Sequence, residues 1–283
     1  MAKLTPQTLI SNVRDIGTLP DIYSRLTQVI SKSTSSAAQI GEVVVEDPGL
    51  TARLLRIVNS AFYNFPRKID TISRAVVIVG TDELRHLALA TTVISMFNRV
   101  PEDLVNMRSF WRHSLACGLF ARELAIRRRE TNTERYFVAG LLHDIGKLVF
   151  YMERGESARS ALELCREKGE LHFRSESKIF GFSHTQVGSA LLKQWNLPVR
   201  LQQAVAHHHN PALAVEYPLE AATIHVADII SNVCQLGSSG ERRIPPLVPK
   251  AWDALKLEPT VLDSVIKYVK LQFDETVDIV IAR

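Results

Sequence analysis

Residues 140–150 read GLLHDIGKLVF, an apolar run that carries His143 and Asp144 side by side and Lys147 a turn later. Charged groups are rare in such surroundings unless they are paired or hold a metal. The stretch therefore predicts a core helix whose polar residues meet partners from elsewhere in the chain. Lys147 follows His143 by four positions and shares its helix face. An ammonium there could steady a phosphate or pair with an acid, and spacing alone admits both.

The partners are sought among the other histidines and acids. His113 lies in FWRHSLACGLFARELA (110–125), where Leu115, Leu119 and Leu124 mark a core helix. His184 opens SHTQVGSALLKQW (183–195), with Ser183 as an N-cap. His207, His208 and His209 end LPVRLQQAVAHHHNP (197–211), ahead of the helix-stopping Pro211. Asp228 follows His225 by three in IHVADIISNV (224–233), so both leave one helix face.

Imidazole with carboxylate is a donor set suited to zinc, iron, manganese or nickel. Neighbours on a regular helix diverge by about 100°, so neither HD nor HH grips one ion from ideal geometry. A helix end relaxes that restriction, and a carboxylate can bridge two ions while its neighbouring histidine binds one. Two ions about 3.5–4 Å apart are the arrangement for metal-assisted phosphoester hydrolysis. Plainer readings stand beside this one. His113 alone reads as a satisfied core or surface group. His225 reads as an orienter of Asp228 or a packed helix residue, and His207 as a solvated neighbour of the other two. His86 and His172 read as structural.

Helical spacing recurs along the rest of the chain and strand signals are nearly absent, so the fold class is all-α. DIYSRLTQVI (21–30), TARLLRIVNSAFY (51–63) after a DPG turn, and TDELRHLALATTVISMFNR (81–99) with two acids in its first turn all read as helices. AVVIVG (75–80) is β-branched, but it is too short and isolated for a sheet and reads as a buried helix ending at Gly80. Only His86 precedes residue 105, and Pro101 is a breaker, so the chain divides into a helical lobe (1–104) and a histidine-bearing lobe (105–235). A linker and C-terminal helices (236–283) follow, beginning with the Gly-, Ser- and Pro-rich LGSSGERRIPPLVPK. Val261, Val265, Ile266, Val269 and Phe273 then form a stripe expected to dock on the body of the protein, with a dimer face as the other use.

With 283 residues, 46% hydrophobic and 23% charged, the chain has the composition of a folded globular protein. Its net charge of +4 is spread among acidic neighbours, and no stacking platform or helix-turn-helix accompanies it, so nucleic acid is not an expected partner. Three cysteines in no CxxC spacing predict a reducing, cytoplasmic setting. No apolar run approaches the roughly 18 residues a membrane span needs, and no membrane partner is expected.

HDIGK, with a histidine upstream, a histidine downstream, an HH pair and a final aspartate, resembles the HD superfamily of metal-dependent phosphohydrolases. More specifically the chain resembles HDOD proteins, the HD-related output domains of bacterial signalling. LPDIYSRLTQVI (19–30), the block from VVVEDPGLTARLLRIVNSAFY onward (43–89), HTQVGSALLKQWNLP (184–198) and AVAHHHNP (204–211) carry the resemblance across residues 15–230.

The resemblance implies metal ligands at His113, His143, Asp144, His184, His208, His209 and Asp228, holding one or two divalent ions (iron, manganese or zinc). It implies a signalling module that acts through a partner protein. The alternative is a phosphohydrolase of a nucleotide or cyclic dinucleotide, with Asp144 and Lys147 as catalytic residues. Lys147 matches a lysine that HD-GYP phosphodiesterases place near the substrate phosphate. Two features of those enzymes are missing: the GYP-containing segment is replaced by HHHNPALAVEYP (207–218), and Ser109 stands where they tend to carry an acidic ligand. In the first lobe Asn59 is expected to be a buried hydrogen-bonding residue that orders helix packing, with a contact to the second lobe as the other reading.

Overall fold

The computed structural model describes residues 4–13, 16–97, 100–241 and 243–281, and among them every regular element is helical, as predicted. Helix α1 (Pro6–Asn12) opens under a capping box in which Thr5 and Thr8 exchange hydrogen bonds. By compactness the chain forms two units, one of residues 1–18 and 97–265, the other of residues 19–96 and 266–283. These groupings differ from the three consecutive segments of the sequence reading, because both ends of the chain join a unit remote from them in sequence.

The smaller unit contains α2 (Asp21–Ile30), α3 (Ala37–Val45), α4 (Pro48–Val58), α5 (Ile72–Val79) and α6 (Thr81–Met96). Pro48 is the first residue of α4, where its missing N–H costs nothing, and the Asp47 carboxylate accepts from Leu50 N at 2.9 Å. The DPG turn thus leads into the helix with Pro48 at its start, and the helix ends at Val58, short of the end of the 51–63 stretch. Residues 98–99 of the predicted 81–99 helix lie outside the described residues. AVVIVG is helical up to Gly80, but only Ala75 and Val76 are buried, while Val77 is 75% exposed. The run is too short to face the core all round, which corrects the buried reading. Asn59 is solvent-exposed, yet its amide donates to the carbonyls of Leu55 and Ile69 and accepts from Ile69 N, all at 2.7 Å. It orders local packing as expected, from the surface rather than from within.

The larger unit continues with α7 (Met107–Arg127), α8 (Glu134–Leu142), α9 (Ile145–Glu153), α10 (Gly155–Lys168), α11 (His172–Phe180), α12 (His184–Gln194) and α13 (Val199–His207). A 3₁₀ turn (Pro211–Leu213), α14 (Pro218–Val233) and α15 (Pro249–Leu255) follow. Helix α16 (Val261–Val280) starts in this unit and belongs to the smaller one from Ile266 onward; it buries Val265, Val269 and Phe273 of the predicted stripe. Helix α7 is the unit's axis. It is buried along most of its length and packs against α8 and α14, while α12 packs against α9 and α13. Trp195 Nε1 donates to Ile16 O at 2.8 Å and ties α12 to the segment after α1.

Candidate metal centre

The HD dyad falls between two helices: α8 ends at Leu142 and α9 begins at Ile145. This break removes the divergence that a continuous helix would impose, and His143 Nε2 and Asp144 Oδ2 come within 3.3 Å. Gly146 allows the dyad to reach its partners. A Cβ there would lie 2.1 Å from His184 O and 2.7 Å from Gly188 N, so only glycine lets the start of α9 touch the backbone of α12.

All seven predicted ligands converge inside the larger unit, in two groups whose donor atoms lie within 4.8 Å of one another and could hold a metal ion. One is Asp144, His184, His208 and His209; the other is His113, His143 and Asp228. Asp144 belongs to both through its two oxygens. Oδ1 is 3.1 Å from His184 Nε2 and 3.8 Å from His208 Nε2, while Oδ2 faces His143 Nε2 and lies 3.9 Å from His113 Nε2. Asp228 Oδ1 sits 3.2 Å from His113 Nε2 and 3.6 Å from His143 Nε2.

Three rings are fixed from behind. Nδ1 of His143 donates to Gly140 O at 2.6 Å, Nδ1 of His184 to Glu176 Oε2 at 2.6 Å, and Nδ1 of His208 to Val205 O at 2.9 Å. Carbonyls and carboxylates only accept, so the hydrogen is on Nδ1, and Nε2 is the atom left to face inward, as a lone pair whenever the ring is neutral. Behind Glu176 stands His172, buried, its Nδ1 3.7 Å from Oε1 and without a hydrogen-bond partner among the described residues. Asp228 Oδ1 accepts from Asn232 Nδ2 at 2.8 Å. His225 is the packed helix residue of the two readings, buried on α14, and does not orient Asp228. Its Nε2 accepts from Val248 N at 3.0 Å and its Nδ1 donates to His208 O at 2.7 Å, so it braces the His208 backbone.

Electrostatics divide the cluster. Burial opposes charge on Asp144, but His143 and Lys147 outweigh it and hold the carboxyl well below its ordinary value. Burial likewise opposes charge on His143 and His184, yet the carboxylates at their sides raise both, His184 to about 9. Burial and then neighbouring imidazoles keep His208 and His209 neutral. Positive charge is thus favoured beside the carboxylates, at His143 and His184, and disfavoured at His208 and His209. His143 Nε2, His113 Nε2, His209 Nε2 and Asp144 Oδ1 have no hydrogen-bond partner among the described residues although they are buried. Buried imidazole nitrogens and carboxylate oxygens that face one another without hydrogen-bond partners are a donor set of the right chemistry for a divalent cation, and on that ground the residues suit a metal.

The site is closed. His143, Lys147, His184 and His208 are 0% exposed. Lys147 Nζ donates to Asp144 Oδ2 at 2.8 Å, to Ser239 Oγ at 2.9 Å and to Glu241 Oε1 at 2.8 Å. Facing carboxylates overcome the cost of burial and keep the ammonium charged, while burial pushes the Glu241 carboxyl up against the pull of Lys147. The stretch read as a linker from residue 236 therefore sends two side chains into the centre. Sequence reasoning missed Glu176, Asn232, Ser239 and Glu241. Asn232 alone carried a signal, four residues after Asp228 on the same face.

The family model for the HDOD domain matches residues 16–211. A crystal structure of an HDOD domain protein of unknown function from Geobacter sulfurreducens is 25% identical, with a TM-score of 0.80 over 96% of this chain and 97% of that one. One from Shewanella amazonensis, named as a phosphohydrolase, is 24% identical with a TM-score of 0.75, also over 96% of this chain and 97% of that one, and shows the likeness of fold alone. An uncharacterized protein of Treponema pallidum is 24% identical over 227 residues. That match covers 78% of this chain and 43% of the relative, so the chain spans less than half of the relative's length.

Proposed function

The chain belongs to the HDOD family, and we propose that it is a cytoplasmic regulatory module that holds one or two divalent ions and acts through a signalling partner. The observation that carries this reading is the combination of a full ligand set with a closed chamber: seven converging donors stand in a space sealed by Lys147, Ser239 and Glu241. His113, His143 and Asp228 would hold one ion, His184, His208 and His209 the other, and Asp144 would lie between them. Bound ions would supply structural cross-linking of α7, α9, α12, α13 and α14, and Lewis acidity wherever a phosphoester reached them. The chain's own residues orient the rings, exclude water and keep a cation, Lys147, beside Asp144. No described helix is long and apolar enough to cross a membrane, which accords with the setting proposed.

One observation favours a second reading, metal-dependent hydrolysis of a nucleotide or cyclic dinucleotide. Lys147 lies 2.8 Å from the carboxylate shared by both ligand groups, where an ammonium would neutralise a phosphate. The deciding experiment is elemental analysis of tag-free, chelator-free protein and of Asp144→Ala, with turnover of cyclic di-GMP and bis(p-nitrophenyl) phosphate measured on both. Metal in the parent, its loss in the variant and no turnover are expected. Turnover that vanishes in Asp144→Ala would transfer the conclusion to the hydrolase, and a metal-free parent would end both readings.

A further inference from the structure

The Leu236–Glu241 segment is built unlike the rest of the chamber wall. It has no helix, and only two of its side chains, Ser239 and Glu241, turn fully inward, both toward Lys147. Gly237 holds φ +109°, and a Cβ on it would stand 2.4 Å from His113 N and 2.5 Å from Ser109 O. The segment can therefore lie directly on α7 beside a ligand-bearing residue. Ser238 N donates to Ser109 O at 3.1 Å, and Gly240, at φ +101°, turns the chain so that Glu241 points back inside. Tyr151 OH adds a hydrogen bond of 3.4 Å to Ser239 O. Ser238 Oγ adds bonds within the segment, to Glu241 O and from Gly240 N, and its outer residues are half-buried. Lacking a helical ladder, it is a part that can open locally before the helices do.

What the segment inserts is a carboxylate, in an interior already carrying Asp144 and Asp228. Nothing in packing demands an anion there, since Lys147 already has Asp144. The carboxylate also approaches His209, with Oε1 3.9 Å from Nε2. It thus lies between the chamber's one buried ammonium and a ring of the ligand set, where an oxyanion from outside would have to lie.

We propose that Leu236–Glu241 is a built-in plug, with the Glu241 carboxylate seated as an internal surrogate for a phosphate group at Lys147. A phosphate-bearing ligand enters only when the segment lifts off Ser109 and Glu241 leaves. This proposal rests on the reading of the closed chamber as a metal centre that regulates, and it names the class of signal that would open it. The input is a phosphorylated small molecule that competes with the chain's own glutamate.

The test uses the full chain, with inorganic phosphate as the probe. Glu241→Gln keeps the size and hydrogen-bonding capacity of the side chain and removes its charge. Titration calorimetry is expected to show phosphate binding tighter by about tenfold or more in Glu241→Gln than in the parent, and the gain should disappear when Lys147→Met is added. Hydrogen exchange on the parent protein is expected to show the Ser238 amide opening faster than the amides of α9. Equal phosphate affinity in parent and Glu241→Gln, or a Ser238 amide as protected as those of α9, would overturn the plug. Elemental analysis of the same samples judges the metal reading separately. If both proteins are metal-free that reading falls, while the phosphate titration still decides the plug, because Lys147 and Glu241 are the chain's own.

Discussion

His184 and His208 bring their Nε2 atoms to 3.4 Å from each other, while their Nδ1 hydrogens are spent on Glu176 and on the carbonyl of Val205. Two acceptors in a dry interior repel unless a proton or a metal ion lies between them. Much of the behaviour of this protein follows from which of the two is present.

Removing metal should loosen the whole larger unit. An ion bound at a thousand times its dissociation constant stabilises by about 4 kcal/mol, so chelator-treated protein should melt lower by on the order of 10 °C. Scanning calorimetry before and after chelation, with zinc, manganese and iron added back in turn, checks this and shows which ion restores the fold best.

Glu176→Ala should weaken metal binding by about 10- to 100-fold, because the His184 ring loses the partner that fixes its tautomer and direction. Competition against a chromophoric chelator measures the change. Glu176→Gln should fall between the two, since its amide oxygen still accepts from Nδ1 without the charge.

Gly146→Ala should be among the most damaging single-methyl changes in the chain. Its Cβ would meet backbone atoms of His184 and Gly188, which cannot step aside as a side-chain end can. Overpacking of this kind costs about 1–3 kcal/mol, and denaturant unfolding should show it together with reduced metal content. Gly155→Ala is the control, because the nearest atom to a Cβ there is a Leu104 methyl at 3.6 Å.

Acid should destabilise the protein through His172. Burial pulls its pKa down from 6.5 to about 4. Between those values the unfolded chain takes up a proton that the folded one refuses, so stability falls as pH drops through this window and the effect is absent above it. The full difference is worth about 3 kcal/mol. His172→Gln should remove it, which appears as a shallower decline of unfolding free energy between pH 6.5 and pH 4.

The all-α class was legible because it rests on local information, helical spacing and caps, while the seven residues that converge here were named through the HD resemblance rather than from spacing. Asp144 was identifiable because an unpaired carboxylate in GLLHDIGKLVF would be costly. What stayed hidden was whatever one long-range contact decides. Glu176 looks like any surface glutamate of an amphipathic helix until α11 meets α12, and Glu241 sits in a loop-like stretch with ordinary loop composition. The two readings of His225 could not be separated because its partners, the His208 carbonyl and Val248 N, are backbone atoms that leave no mark on sequence. Asn59 was placed inside because its neighbours are apolar, yet a cap to two carbonyls works at the surface as well.

The donors of the centre come from α7, the α8–α9 break, α12, the end of α13 and α14, so the full set comes together only once all of these helices have packed. A cation that needs all of them acts on the finished fold and on little that precedes it. Its effect on kinetics should then be one-sided: folding proceeds at the rate the bare chain allows, while unfolding slows by nearly the whole binding free energy. The centre would serve as a latch closed after assembly, setting how long the folded molecule lasts rather than how quickly it is made.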